Sequence, residues 1–170
     1  MKRADFLKDI TGDNNHRLLL WDSLQATSGK VVEYGSGYGS TQYLRKYCND
    51  TNRLFESYDN GEEWAKIHDS KYIPNNDWDS VNPTGGVVLI DHAPGERRWI
   101  DIQKLKDSFQ ILVIHDSEPI GAGDYKLENI WHLFKYRVDV KCDGSWASAV
   151  SNTIDLSKFI GNKFNQYEIS

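Results

Sequence analysis

The chain has little sulfur to build with: two cysteines, Cys48 and Cys142, and one methionine among 170 residues. The two thiols lie far apart with no Cys-x-x-Cys pair and no Cys/His cluster, so neither a zinc ribbon nor a disulfide framework is indicated. Both are expected to be reduced core or surface thiols. Long apolar runs are also missing. The longest aliphatic stretches, such as Val87-Val88-Leu89-Ile90, fall far short of the roughly 20 residues a spanning helix needs. The opening MKRADFLKDITGDNN has no apolar leader segment, so the expectation is a soluble, cytoplasmic protein with no membrane partner. Positive charge is in deficit, with Lys+Arg 20 against Asp+Glu 25 and a net charge of -5. No general positive field can hold a phosphate backbone, and nucleic acid is not an expected partner. No repeat, low-complexity tract or linker appears, and residues 1–170 are expected to form one domain.

Aromatic residues, by contrast, make up 12% of the chain, with 6 Trp, 9 Tyr and 6 Phe, so a core is expected despite a mean hydropathy of -0.63. Leu18, Leu19, Leu20, Trp21 and Leu24 form an apolar face at helical spacing, with Asp13 and Asn14 as candidate N-caps and Gly29 as a stop. Strand-like segments then alternate with helical ones. Val31–Tyr34, Arg53–Tyr58, Tyr72-Ile73, Val87–Ile90 and Ile111–Ile114 read as strands. Helical stripes run through Tyr43, Leu44 and Tyr47, through Trp64 and Ile67 after a capping-box sequence Asn60-Gly-Glu-Glu63, and through Trp99, Ile102 and Leu105. Leu127, Ile130, Trp131 and Phe134 suggest one more helix. Tyr136 to Cys142 alternates, and Asp143-Gly144 is a hairpin signal joining it to Trp146–Ile154. The expected fold is α/β: a doubly wound, mostly parallel seven-stranded sheet with a C-terminal antiparallel hairpin.

The most informative segment is Val31-Val-Glu33-Tyr34-Gly35-Ser36-Gly37-Tyr-Gly39-Ser40-Thr41, which follows the first strand and opens a helix. Glycines there admit positive φ and let a ligand lie on bare backbone. A dinucleotide site would require GxGxxG, but from Gly35 and Gly37 the third position is Ser40, with Gly39 one place early. Glu33 would repel a pyrophosphate but could accept from an ammonium group, so a cationic, zwitterionic cofactor suits the loop better than NAD.

These residues resemble the first motif of the class I S-adenosylmethionine-dependent methyltransferases, apolar-apolar-Glu/Asp-x-Gly-x-Gly. A subset of that family has Gly-Ser-Gly-x-Ser-Thr after the first strand and an acid five residues before a Trp after the second. This chain has Gly-Ser-Gly-Tyr-Gly-Ser-Thr, one residue longer, and Asp59-Asn60-Gly-Glu-Glu-Trp64. The resemblance covers nearly the whole chain. It implies S-adenosylmethionine as cofactor, held by Glu33, Tyr34, Gly35, Ser36, Gly37, Ser40, Thr41, Asp59 and Asn60. Asp59 would bind the two ribose hydroxyls, with Glu56 as its competitor.

Asp91-His92-Ala-Pro-Gly looks like the Asp-Gly-Pro-Pro-Gly turn after the fourth strand of related small-molecule enzymes, with His in place of a Gly. Ligands of open α/β sheets bind beyond the carboxyl ends of the strands, so this turn and His115-Asp116-Ser117 after the fifth strand should border the reacting methyl group. His92 is the expected base for a hydroxyl acceptor, with Asp91, His115 and Asp116 as alternatives. Mg²⁺ held by Asp91 and Asp116 is a second option but not the favoured one, because Ser117 stands where the family has Asn. Arg97 and Arg98 are candidates to clamp an anionic group of the substrate. The expected activity is O-methylation of a small-molecule or glycan acceptor, with a homo-oligomer as one way to complete a shallow site. Cofactor binding without catalysis, or an oxidoreductase, are the alternatives.

Overall fold

The computed structural model describes residues 1–119 and 125–159, so residues 120–124 and 160–170 of the domain expected over 1–170 lie outside the described residues. Seven strands form one sheet in the order β3-β2-β1-β4-β5-β7-β6. They are β1 (Val31–Tyr34), β2 (Phe55–Asp59), β3 (Lys71–Tyr72), β4 (Gly85–Ile90), β5 (Phe109–His115), β6 (Tyr136–Cys142) and β7 (Ser145–Ser151). The first five are parallel, and β7 inserts antiparallel between β5 and β6. Asp143 and Gly144 both have positive φ, 50° and 88°, as a two-residue turn matched to strand twist requires.

Among the described residues, five α-helices pack around the sheet: α1 (Arg3–Phe6), α2 (His16–Ala26), α3 (Thr41–Thr51), α4 (Glu62–His68) and α5 (Arg98–Leu105). Strand alternation divides the core. Val31, Val87, Leu89, Ile111 and Val113 face α2 and α3, through Leu19, Leu20, Leu24, Leu44 and Tyr47. Val32, Tyr34, Val88, Ile90, Leu112 and Ile114 face the other way, onto Trp78, Ile102, Leu105, Leu127 and Ile130. Both faces of the central strands are buried, which is why β4 and β5 read as continuous apolar runs.

Three local expectations differ from what forms. Leu127–Phe134 is two 3₁₀ turns, Leu127–Asn129 and Trp131–Leu133, instead of one helix. Leu127/Ile130 and Trp131/Phe134 are three apart, a spacing that a 3₁₀ turn satisfies as well as an α-helix does. The capping box at Asn60–Glu63 is not made; Gly61 precedes α4 and its N–H donates to Asp59 Oδ1. Asp13 and Asn14 belong to a preceding 3₁₀ turn, in which Asn14 accepts from Thr11 N–H, and Asn15 precedes α2. The Asn15 side chain donates to Ser145 O at 2.9 Å, tying the start of α2 to β7. No helix among the described residues is long and apolar enough to cross a membrane.

Candidate functional site

The chain's connections reverse direction between β1 and β4, and a crevice at such a switch point is where open α/β sheets bind ligands. Gly35 sits there with φ 89°. A Cβ on it would lie 2.5 Å from Asp91 O and 2.6 Å from His92 N, so glycine is what allows the β4 turn to cross the β1 turn. Gly37 is the opposite case: a Cβ there would meet nothing within 4 Å, leaving bare backbone against open space. Gly39, the extra residue of the motif, lies against α2, with its Cβ position 3.4 Å from Asn14 Cβ and 3.6 Å from His16 Cε1.

Buried acids fasten this loop from below. Glu33 is fully enclosed and accepts from Ser40 Oγ, from Thr41 Oγ1 at 2.9 Å and from Ser57 Oγ at 2.6 Å. Burial pushes its carboxyl up to about 7, against the pull of those three hydroxyls. Thr41 Oγ1 also accepts from Gly37 N–H at 2.8 Å, so the acid on β1 sets the height of the loop. Tyr34 contributes only backbone at this point. Its ring is buried against Trp78, and its hydroxyl donates to Val81 O.

Asp59, at the end of β2, accepts from Ser36 N–H at 2.8 Å and Ser36 Oγ at 2.9 Å through Oδ2, and from Gly61 N–H through Oδ1. Trp64 Nε1–H closes the same contact by donating to Ser36 O. Asn60 is half-buried beside it, with its amide donating to Asn76 Oδ1. Glu56 lies three residues back along β2, opposite Val32, and bridges Lys30 at 2.8 Å and Lys71 at 3.0 Å. The Lys30 contact leads in holding its carboxyl down at about 2. The two candidate acids on β2 are thus separated: Asp59 touches the glycine loop, and Glu56 is spent on lysines.

At the ends of β4 and β5 the arrangement departs from expectation. His92 has no exposed surface; its ring lies against Tyr34 and Trp78, and Nε2 meets Asp101 at 2.9 Å. Burial lowers its pKa although Asp101 opposes this. A ring so enclosed does not reach an acceptor, and the base role expected of it is not supported by its position. Arg97 pairs with Asp79 and Asp101, and Arg98, 6% exposed, donates to the carbonyls of Asp91, His92 and His115 and to the Asp91 and Asp116 side chains. Neither is a free clamp for substrate; Arg98 is a rivet between the two strand ends. Ser117 points inward to Ser148 Oγ, away from any ion that Asp91 and Asp116 would share.

What does converge there is Asp91, Asp116, His115 and a residue with no sequence signal, His16. Asp91 Oδ1 accepts from His115 Nδ1 at 3.2 Å and from Arg98 at 3.1 Å. Burial works to raise Asp91, but His115 and Arg98 outweigh it and its pKa falls; burial works to lower His115, and Asp91 outweighs it so that His115 rises. Asp116 is raised, by burial first. Asp91 and Asp116 keep 26% and 31% of their side-chain surface, so these two carboxylates are the groups here that open to solvent. His16, the first residue of α2, packs its ring 4.5 Å from that of His115, and burial takes its pKa to about 3. It lies 75 residues from Asp91, and only the fold brings it in.

No protein-family model and no curated protein matches the chain. Solved structures do. A protein assigned as an O-methyltransferase from Klebsiella pneumoniae superimposes with a TM-score of 0.58 at 12% identity, over 89% of this chain and 86% of that one. Cofactor-bound Rv0187 from MTB gives 0.60 at 14%, over 86% and 83%. TrmK of M. capricolum, in complex with the cofactor product S-adenosyl-homocysteine, gives 0.51 at 15%, over 82% and 69%. With the strand order, the inserted antiparallel β7 and the glycine loop at the switch point, these likenesses show that the chain has the class I S-adenosylmethionine-dependent methyltransferase fold.

Proposed function

We propose that the chain is an S-adenosylmethionine-dependent methyltransferase acting on a hydroxyl of a small-molecule or glycan acceptor. The observation that carries this reading is Asp59 bonded into the glycine loop at Ser36, one residue from the bare backbone of Gly37. The residues fit the cofactor there. An ionised carboxylate has about four lone-pair sites, so beside its three present bonds Asp59 keeps one for a ribose hydroxyl, and the second hydroxyl would take the place of Ser36 Oγ. The rings of Tyr38 and Trp64, 64% and 40% exposed, flank the loop with apolar surface. Gly35, Ser36 and Gly37 offer backbone to the methionine end, and Asn60 stands on the adenosine side. Glu33, Ser40 and Thr41 hold the loop from within. Tyr34 anchors the strand end.

The cofactor supplies an electrophilic methyl group on a sulfonium. The chain's part is alignment, which lowers the barrier by fixing the attacking oxygen close to that group, and removal of the hydroxyl proton. Asp116, half-open to solvent with a raised pKa, and Asp91 beside it are the carboxylates placed to take that proton. Cofactor binding without turnover is a second reading, favoured by the enclosure of His92.

Asp59→Ala should weaken S-adenosylhomocysteine binding by on the order of 1.5–3 kcal/mol for each charged hydrogen bond lost, while Glu56→Ala changes it little; calorimetric titration measures both. An equal or larger loss at Glu56 would move the ribose site. Incubation with methyl-labelled cofactor and small-molecule, glycan and RNA acceptor pools then distinguishes the readings. Label in the first two supports O-methylation, label in RNA alone contradicts the acceptor class, and binding with no transfer supports the second reading.

A further inference from the structure

His16, at the start of α2, has no hydrogen-bond role, and His115, at the end of β5, has one on only one side of its ring. His16 is 1% exposed and neither ring nitrogen has a partner; His115 is 7% exposed and its Nε2 has none. An unsatisfied polar atom shut away from water carries its full desolvation penalty, and a buried imidazole with both nitrogens so left, packed against His115, calls for a ligand that no neighbouring residue supplies. One ligand atom from each of His16, Asp91 and His115 can be chosen so that all three lie within 4.8 Å of one another. Around an ion with bonds of about 2.0–2.1 Å, tetrahedral ligands stand about 3.3 Å apart, so only a small inward movement of side chains is needed.

We propose that His16, Asp91 and His115 form a binding site for a first-row divalent transition-metal ion of the zinc or iron(II) type. Two imidazoles with one carboxylate suit such ions, whereas Mg²⁺ demands oxygen ligands and water. His115 Nδ1 lies 3.2 Å from Asp91 and 3.5 Å from Asp116, so it is the ring nitrogen that faces the carboxylates and the ligand atom of the site. Arg98 orients Asp91, and its own charge is offset by Asp116 at 3.4 Å. The Asn15 bond to Ser145 O holds the start of α2 over β7. Asp91 and Asp116 keep the fourth side open, so the ion has a route in and a free position.

The site stands whether or not the chain transfers methyl groups. Chelator-treated full-length protein titrated with Zn²⁺ in a calorimeter should bind one ion per chain, and millimolar Mg²⁺ should not displace it. Co²⁺ should give ligand-field bands with no thiolate charge-transfer band. His16→Gln and His115→Gln should each weaken Zn²⁺ binding about 100-fold or more, with the metal-free circular dichroism and melting temperature unchanged. Exposed His132→Gln and Cys142→Ser should leave it intact. Should His16→Gln fail to fold, His115→Gln and the wild-type stoichiometry decide the question. Absence of one-to-one binding in the wild type, binding unmoved by either histidine variant, or binding lost in Cys142→Ser overturns the proposal. S-adenosylhomocysteine titrated in chelator reports separately: if it binds and Zn²⁺ does not, this inference alone fails, and the reverse result removes only the methyl-transfer reading.

Discussion

A methyl group added at Gly35 and one added at Gly37 should have opposite effects. Gly35→Ala combines a positive φ with a Cβ 2.5 Å from Asp91 O, so the β1 and β4 turns must separate. Urea unfolding should register a loss of at least about 2 kcal/mol. Gly37→Ala meets nothing within 4 Å, so stability should stay within about 0.5 kcal/mol while affinity for S-adenosylhomocysteine falls. Equal destabilisation by both, or unchanged affinity in Gly37→Ala, would remove the cofactor from this loop. The glycine cluster was legible in the sequence because its residues are contiguous. The division of labour within it was not, since φ and the approach of Asp91 are set by the rest of the sheet. The same limit governs His92. A histidine at a strand end reads as a base, and only the packing of Tyr34, Trp78 and Asp101 around it encloses the ring.

Between elements, Arg98 joins the ends of β4 and β5, and Glu33 joins β1 to α3 and β2. Removing the buried guanidinium in Arg98→Met leaves Asp91 and Asp116 without their cation and should cost about 3–5 kcal/mol by urea unfolding. Full stability with a raised KM for the acceptor would instead restore a substrate role. Glu33 imposes a pH dependence. Its carboxyl rises from 4.5 to about 7 on folding, so between those pH values the folded chain holds a proton that the unfolded chain has released. Stability from this group is therefore complete below pH 4.5 and lost as pH rises through 7, a change of about 3 kcal/mol. Unfolding at pH 5 and pH 7.5 should show the wild type losing ground to Glu33→Gln at the higher pH; a constant difference would contradict the burial account. Tyr136–Cys142 was readable to the residue because a two-residue period has few rivals, and Val31–Tyr34 because it is a short apolar run stopped by glycines. The Leu127–Phe134 stretch was not, because spacing by three serves two kinds of helix.

Across the whole molecule, the strand order places the glycine loop, Asp59 and the Asp91–Asp116 corner along one edge, at the carboxyl ends of β1, β2, β4 and β5. The alternation of apolar runs with helical stripes made a doubly wound, mostly parallel sheet expected from the sequence, but not the order of its strands. His16 could not be, since it joins the corner from the start of α2, ahead of every strand. The proposed function requires that this edge hold S-adenosylmethionine and not a dinucleotide. Thermal unfolding of the full chain with S-adenosylhomocysteine, S-adenosylmethionine or NAD tests it most directly. At about 100 times its dissociation constant a ligand of the native state adds about 2.7 kcal/mol. Melting temperature should rise with the first two and stay unchanged with NAD; a rise with NAD alone would overturn the proposed cofactor.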